Sequence, residues 1–347
     1  VIKKVLYSVL LIIALLVIWQ YQLIWYGLGQ AYGQFRIIYN ARPLGEYLTD
    51  PTFPDSLKQK LILIQEIRKF AIDSLGINDS KNYTTVFDQK GKPVLWVVTA
   101  SEPYALEAKE WKFPLLGSVS YKGFFVHEKA VKEENQLKAQ GYDTEIDEVA
   151  GWSTLGWFRD PILSSMLEKK EGQLANLIIH ELTHATLYIK SDVDYNENLA
   201  SFVGDHGARE FLRYKYGEES AEYKTYTNSR NNQAKYIQHI LHGADLLDSL
   251  YKSFTPEMDK VTKDNLKNGL IQKIMDATDT LTYSGRTKKA LVTQNNTKKE
   301  PLPNNAFFMS YIRYRSKQNQ FEEEFATKFN SNFKKYLTYL KKTYPSI

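Results

Sequence analysis

The chain contains no cysteine. That absence excludes disulfides, thiolate metal ligands, a cysteine nucleophile and a lipid-modified cysteine, while leaving the compartment open, because a large domain is stable without bridges in any of them. An excess of one charge sign is also missing. The 45 basic residues face 40 acidic ones, a mixed surface with a net charge of +5 rather than the footprint of a nucleic-acid binder. Nucleic acid is therefore not an expected partner. Histidine is scarce, at 6 of 347 residues, so two of them at a meaningful spacing carry weight. Hydrophobic and aromatic residues are plentiful, with 43% hydrophobic and 24 tyrosines. This suits one large core or two smaller ones, and a groove lined with rings.

Two of the histidines fall in Ile179-His180-Glu181-Leu182-Thr183-His184-Ala185. A helix turns about 100° per residue, so His180 and His184 stand one turn apart on one face, where two imidazoles can share an ion. Glu181 lies beside that face. There it can take a proton from a water nucleophile without being a ligand, the arrangement of a zinc peptidase. Leu174, Ile178, Leu182, Ala185 and Ile189 supply an apolar stripe on the side away from the histidines. Such a zinc site needs a third protein ligand and an open fourth position. Glu197 in Asn196-Glu197-Asn198-Leu199 is the candidate, and it competes with a role as the partner of Asp194 in a capping box. The longer motif HExxHxxGxxH is absent, because Leu187 and Lys190 occupy its glycine and third-histidine positions. Asp205 stands either to accept the second N–H of a ligating histidine or to face solvent.

At the N-terminus, Val5–Tyr26 reads as a membrane helix behind Lys3 and Lys4, long enough to cross a core of roughly 30 Å. Gln20 and Gln22 interrupt it, which leaves a cleaved signal peptide as the alternative. With the anchor, the remainder lies across a bacterial inner membrane, in the periplasm or outside the cell, and the lipid bilayer is a partner. Ser56–Leu75 patterns as an amphipathic helix stopped by Gly76. Tyr83–Phe87 and Val94–Thr99 read as a hairpin across Asp88–Pro93, Ser118–Val126 as extended, and Glu128–Gln140 as a helix ended by Gly141. Gly151, Trp152, Ser153, Thr154 and Leu155 are either a strand edge that pairs with a peptide substrate or a turn packed by tryptophans. After Gly204 the pattern is helical, over 221–254, 256–281, 304–315 and 320–342. The expected organisation is an anchor over 1–30, a mixed part with a small sheet over 31–165, and a helical part carrying the zinc site over 166–347.

Several stretches jointly resemble a bacterial family of putative aminopeptidases: AGWSTLGWFRDP from Ala150, HELTHATLY from His180 and NENLASFVG from Asn196. WYGLGQAYGQ from Trp25, WKFPLLGSVSYKGFF from Trp111 and PNNAFFMSYIRY from Pro303 belong to the same resemblance, which covers most of the chain from about Trp25 onward. It implies an α+β, zincin-like fold of gluzincin type, with Zn2+ held by His180, His184 and Glu197 and with Glu181 as catalytic base. It also places a tyrosine near position 314 as the oxyanion donor, so Tyr314 ranks before Tyr311. Three departures stand out. Only twelve residues separate His184 from Glu197, the lipoprotein-type cysteine of other members is missing, and so is any GxMEN signature. Recognition of a substrate amine needs a carboxylate, for which Glu102 and Asp160 are available. The expected function is a membrane-anchored zinc metallopeptidase acting on peptides, an aminopeptidase by resemblance. A zinc endopeptidase and a noncatalytic peptide-binding envelope protein are the alternatives.

Overall fold

A computed structural model describes residues 2–114, 117–149, 151, 154, 158–278 and 301–345. The chain opens with two helices, α1 (Ile2–Trp19) and α2 (Tyr21–Asn40), broken at Gln20. This corrects the expectation of one helix through Val5–Tyr26. Polar residues from Gln20 onward dilute the apolar run, and among the described residues no helix is long and apolar enough to cross a membrane. Part of the expected span packs on protein instead: the Tyr26 hydroxyl donates to Gly123 O at 3.0 Å, and its ring stacks on Phe113 at 5.7 Å.

There follow β1 (Arg42–Pro43), α3 (Leu44–Thr49) and α4 (Asp55–Phe70), which runs into a π-helical turn over Ala71–Leu75. Gly76 closes that turn at φ +83°, a left-handed conformation that suits glycine. The strands are β2 (Thr85–Phe87), β3 (Trp96–Ser101), β4 (Trp111–Phe113), β5 (Gly117–Val119) and β6 (Lys122–Phe124). After α5 (His127–Ala139) come β7 (Asp143–Glu148) and β8 (Ile162–Leu163). The C-terminal half is helical: α6 (Glu171–His184), α7 (Val193–Tyr216), α8 (Ala221–Lys252), α9 (Lys260–Thr278), α10 (Asn305–Arg315), α11 (Gln318–Phe329) and α12 (Phe333–Thr343).

The hairpin expected between Tyr83–Phe87 and Val94–Thr99 does not form. Strand β2 pairs antiparallel with β1 and parallel with β8, whereas β3 is the centre of an antiparallel sheet ordered β6-β3-β7. The intervening turn is tied elsewhere: Gln89 N donates to Ser164 Oγ at 2.9 Å, and Gln89 Oε1 accepts from Ser165 N at 3.0 Å. The helix expected over 320–342 is likewise two, because Asn330 and Ser331 take positive φ between α11 and α12.

The main core joins α4, α6, α7, α11 and α12 through residues such as Ile64, Ile178, Phe202, Phe325 and Leu337. The stripe of Leu174, Ile178 and Leu182 is buried in it, as the sequence pattern implies. A second core lies between α8, α9 and α10, and a third between α5 and one face of the β6-β3-β7 sheet. Helices α6 and α7 pack side by side at two glycines of α7. A Cβ at Gly204 would stand 3.0 Å from Asn176 O and 3.2 Å from His180 Cβ, and one at Gly207 would stand 3.1 Å from Ile179 Cδ1.

Candidate metal centre and cleft

His180 and His184 project from the last turns of α6, and Glu197 projects from the first turns of α7. The connection between them is short and stitched. Asn196 accepts from Ile189 N and donates to Ile189 O, both at 2.8 Å, while Asp192 caps α7 by accepting from Tyr195 N at 3.0 Å. The cap is therefore Asp192, not Asp194, and the Glu197 carboxylate is turned towards the imidazoles. Its Oε2 lies 3.3 Å from both His180 Nε2 and His184 Nε2, and the two nitrogens are 3.2 Å apart. An ion with three ligands at about 2.0–2.1 Å in tetrahedral arrangement holds them about 3.3 Å from one another. The residues thus fit a small divalent ion of zinc type, and no other cluster of this kind occurs among the described residues. His184 Nδ1 is buried with no hydrogen-bond partner among the described residues.

The electrostatics agree with a site built for positive charge. Burial alone would raise the Glu197 carboxyl, but His184 and His180 reverse this and hold it far below the usual range. Burial opposes a charged His184, and Glu197 beside it outweighs that and raises its pKa. Glu181, 7% exposed, is raised by burial, with the two imidazoles pulling the other way. The Tyr314 ring lies 6.4 Å from that of His180, and burial, then the Glu197 charge, keep its phenol protonated. Tyr311, three residues earlier, packs against Phe307 and Tyr236 instead.

These groups line a cleft of about 420 Å³ whose walls come from β3, β7, α6, α7 and α10. A larger cavity of about 550 Å³ lies beyond Asn176 and Leu177, between α6 and α8, and contains none of the metal-binding cluster. Of the expected groove residues, Gly151 lines the cleft so closely that a Cβ there would be 3.3 Å from Glu181 Oε1. Thr154 donates from N and Oγ1 to the Asp160 carboxylate at 2.9 and 2.7 Å. Trp152, Ser153 and Leu155 lie outside the described residues.

Two sequence expectations are corrected. Asp160 is 1% exposed, and its carboxylate also accepts from Asn82 Nδ2 at 3.2 Å, so it anchors its own loop rather than meeting a substrate amine. Asp205 accepts from Asn176, Arg230 and Arg315 and from no histidine. Eight residues after Glu197, the helix has rotated by roughly 80° beyond two full turns, away from the metal-binding face.

Some residues of the site left little trace in the sequence. Asn198 donates to Arg313 O at 2.6 Å and accepts from Lys317 N at 2.8 Å, which pins the end of α10, and so Tyr314, against α7. Two asparagines flanking Glu197 in a helix were the available signal, since asparagine favours helix only weakly. Glu145, two positions before the cleft-lining Asp147 on β7, left little trace either. Burial, then the charge of Asp147, pushes its carboxyl up to about 7, with Arg313 opposing. An acid whose pKa is higher folded than unfolded retains its proton in the fold where the unfolded chain has lost it, so stability falls as pH rises across that window. Between about pH 4.5 and 7, the melting temperature of the wild type is expected to drop relative to that of Glu145→Gln. Thermal scans of both at pH 5 and pH 8 check this, and parallel curves would refute it.

Residues 25–344 match the family described as "Putative aminopeptidase". No curated protein and no solved structure matches the chain.

Proposed function

Because the chain belongs to the putative aminopeptidase family, we propose that it is a zinc-dependent peptidase acting from the N-terminal end of peptides, with a zincin-like catalytic unit formed by α6, α7 and the neighbouring sheet. The observation that carries the metal is the triangle of His180 Nε2, His184 Nε2 and Glu197 Oε2, with edges of 3.2–3.3 Å, next to the buried carboxylate of Glu181. Zinc at this position would supply a Lewis acid for a water nucleophile and for the scissile carbonyl. Glu181 accepts the proton of the attacking water and hands it to the leaving amine, and its burial strengthens its hold on that proton. The Tyr314 hydroxyl donates to the oxygen that gains negative charge, and α10, fixed by Asn198, holds it there.

Metal analysis of the purified protein, combined with digestion of free and N-acetylated peptides, tests this reading. One zinc per chain and cleavage of the free peptides alone, abolished by a chelator and restored by zinc, is the expected result. Equal cleavage of acetylated peptides would make it an endopeptidase, and bound zinc with no cleavage would overturn the enzymatic reading. Tyr314→Phe is expected to lower kcat about a hundredfold with KM and zinc content unchanged. A kcat within a factor of two of wild type would remove the tyrosine from the mechanism.

Association with a bilayer belongs to the same proposal, because α1 leaves Leu6, Leu10, Leu11, Leu15 and Ile18 exposed. Flotation of the full chain with phospholipid vesicles, compared with a chain starting at Tyr21, measures it. Equal recovery of both in the protein-only fraction would refute it.

A further inference from the structure

The sheet β6-β3-β7 has two different faces. Val98 and Ala100 of β3 pack with Phe124, Ala130 and Leu137 on the α5 side. Successive residues of a strand point to opposite faces, so Val97 and Thr99 face the other way, into the cleft they line. The antiparallel register sets Asp147 opposite Val97 and Glu145 opposite Thr99. Thr99, Glu145 and Asp147 therefore share one face of the sheet, on a central strand and the edge strand beside it, and of the three Thr99 and Asp147 line the cleft.

The three differ in exposure, with Thr99 buried, Glu145 half-buried and Asp147 exposed. Thr99 is 5% exposed, and its hydroxyl has no hydrogen-bond partner among the described residues. The two carboxylates reinforce each other's negative potential, since the charge of Asp147 raises the Glu145 carboxyl. The cation that faces them, Arg313, draws both carboxyls down by its charge without a hydrogen bond or ion pair to either. Its Nε and Nη2 reach Ser120 Oγ and O at 3.2 and 3.4 Å, and its nearest carboxylate is that of Asp194, at 3.9 Å. The charge of Asp147 also reaches Tyr314, which ties this patch to the metal-binding end of the cleft. Beyond Glu148 the chain leads from β7 through Val149 to Gly151 beside Glu181, so one edge connects the acidic patch to the catalytic carboxylate.

Asp147 and the Thr99 hydroxyl offer acceptors in the cleft wall, Glu145 beside them adds negative charge, and an ammonium group offers three donors and a positive charge in return. We propose that Thr99 and Asp147, reinforced by the charge of Glu145 beside them on the same sheet face, form the subsite that receives the free α-ammonium group of the peptide substrate. The inference rests on the peptidase reading for the identity of the ligand, while the subsite itself rests on the sheet face. Neither Glu102 nor Asp160 fills this role: Glu102 is not among the residues lining the cleft, and Asp160 is buried in its own loop.

Binding and cleavage are measured separately. On zinc-loaded Glu181→Gln protein at pH 8, titration calorimetry with leucyl-leucinamide is expected to show binding at least about tenfold tighter than with its N-acetyl derivative. Adding Asp147→Asn or Glu145→Gln is expected to weaken the free dipeptide amide about tenfold to a hundredfold, leaving the acetylated one and the zinc content unchanged. A preference for the free amine that survives both substitutions would overturn the subsite, even if wild-type protein cleaves free peptides only. A second zinc equivalent, lost on Asp147→Asn, would overturn it too, because the acidic pair would then be a metal site. Discrimination that depends on these residues, in a protein that cleaves nothing, would uphold the subsite and sink the peptidase reading.

Discussion

Glu181→Gln is expected to reduce kcat by about a hundredfold to ten thousandfold, with zinc content and melting temperature held at wild-type values. The substitution keeps the size and shape of a side chain that is 7% exposed, so the packing of α6 is not disturbed. What it removes is the ability to accept a proton. Glu181 is not one of the three residues whose ligand atoms converge, so the ion-binding triangle of His180, His184 and Glu197 stays intact. Parallel measurement of kcat, bound zinc and thermal unfolding separates the outcomes. Activity above a tenth of wild type would show that Glu181 is not the base, and loss of zinc with activity would show that it supports the metal instead.

Gly204→Val is expected to weaken zinc binding by about tenfold to a hundredfold and to destabilise the fold by about 1–3 kcal/mol, although residue 204 touches no ion. Even a Cβ at this position stands 3.0 Å from the backbone carbonyl of Asn176 and 3.2 Å from His180 Cβ. The carbonyl belongs to a helix and has no room to give, so α7 has to move away from α6. Glu197 rides on α7 and the histidines on α6, and the 3.3 Å separations that fit zinc open with the helices. Competition with a chromophoric chelator measures the change. Gly45→Ala in α3, where nothing lies within 4 Å of the added carbon, is the control and is expected to bind zinc as the wild type does. Unchanged affinity in Gly204→Val would mean that the two helices shift as one body.

The pairing of His180 with His184 was legible in the sequence because it is encoded locally. Spacing along one helix places His180 and His184 on a common face, and the apolar stripe of that helix fixes which side is buried. Glu197 was legible as a candidate only, since a first-turn glutamate serves capping as well as ligation. The structure separates the two by giving the cap to Asp192. Helix α4 with its left-handed stop at Gly76 was equally plain, since periodicity and terminator agree. The sheet was not legible. A Gly- and Pro-containing turn between two extended runs suggests a hairpin, and whether the runs pair is decided by Ser164 and Ser165, which hold Gln89 from more than seventy residues away. The acidic face of β7 escaped for the same reason: Asp147 acquires meaning only when the register sets it opposite Val97 of β3 in the cleft, with Glu145 next to it on the same face.

The two halves of the site differ in how far along the chain their parts lie. Helices α6 and α7 are consecutive, joined by a connection that Asn196 clasps, so the ion-binding triangle is a product of neighbours in sequence and needs little loop closure to assemble. The groove above it unites β3 and β7 with α10, which begins at Asn305, far beyond the end of β7 at Glu148, and exists only once these elements have packed together. The histidine–glutamate cluster and the full cleft thus draw on different stretches of the chain. A nascent chain that has emerged only as far as α7 already contains His180, His184 and Glu197, whereas Tyr314 and the α10 wall of the cleft come late in synthesis.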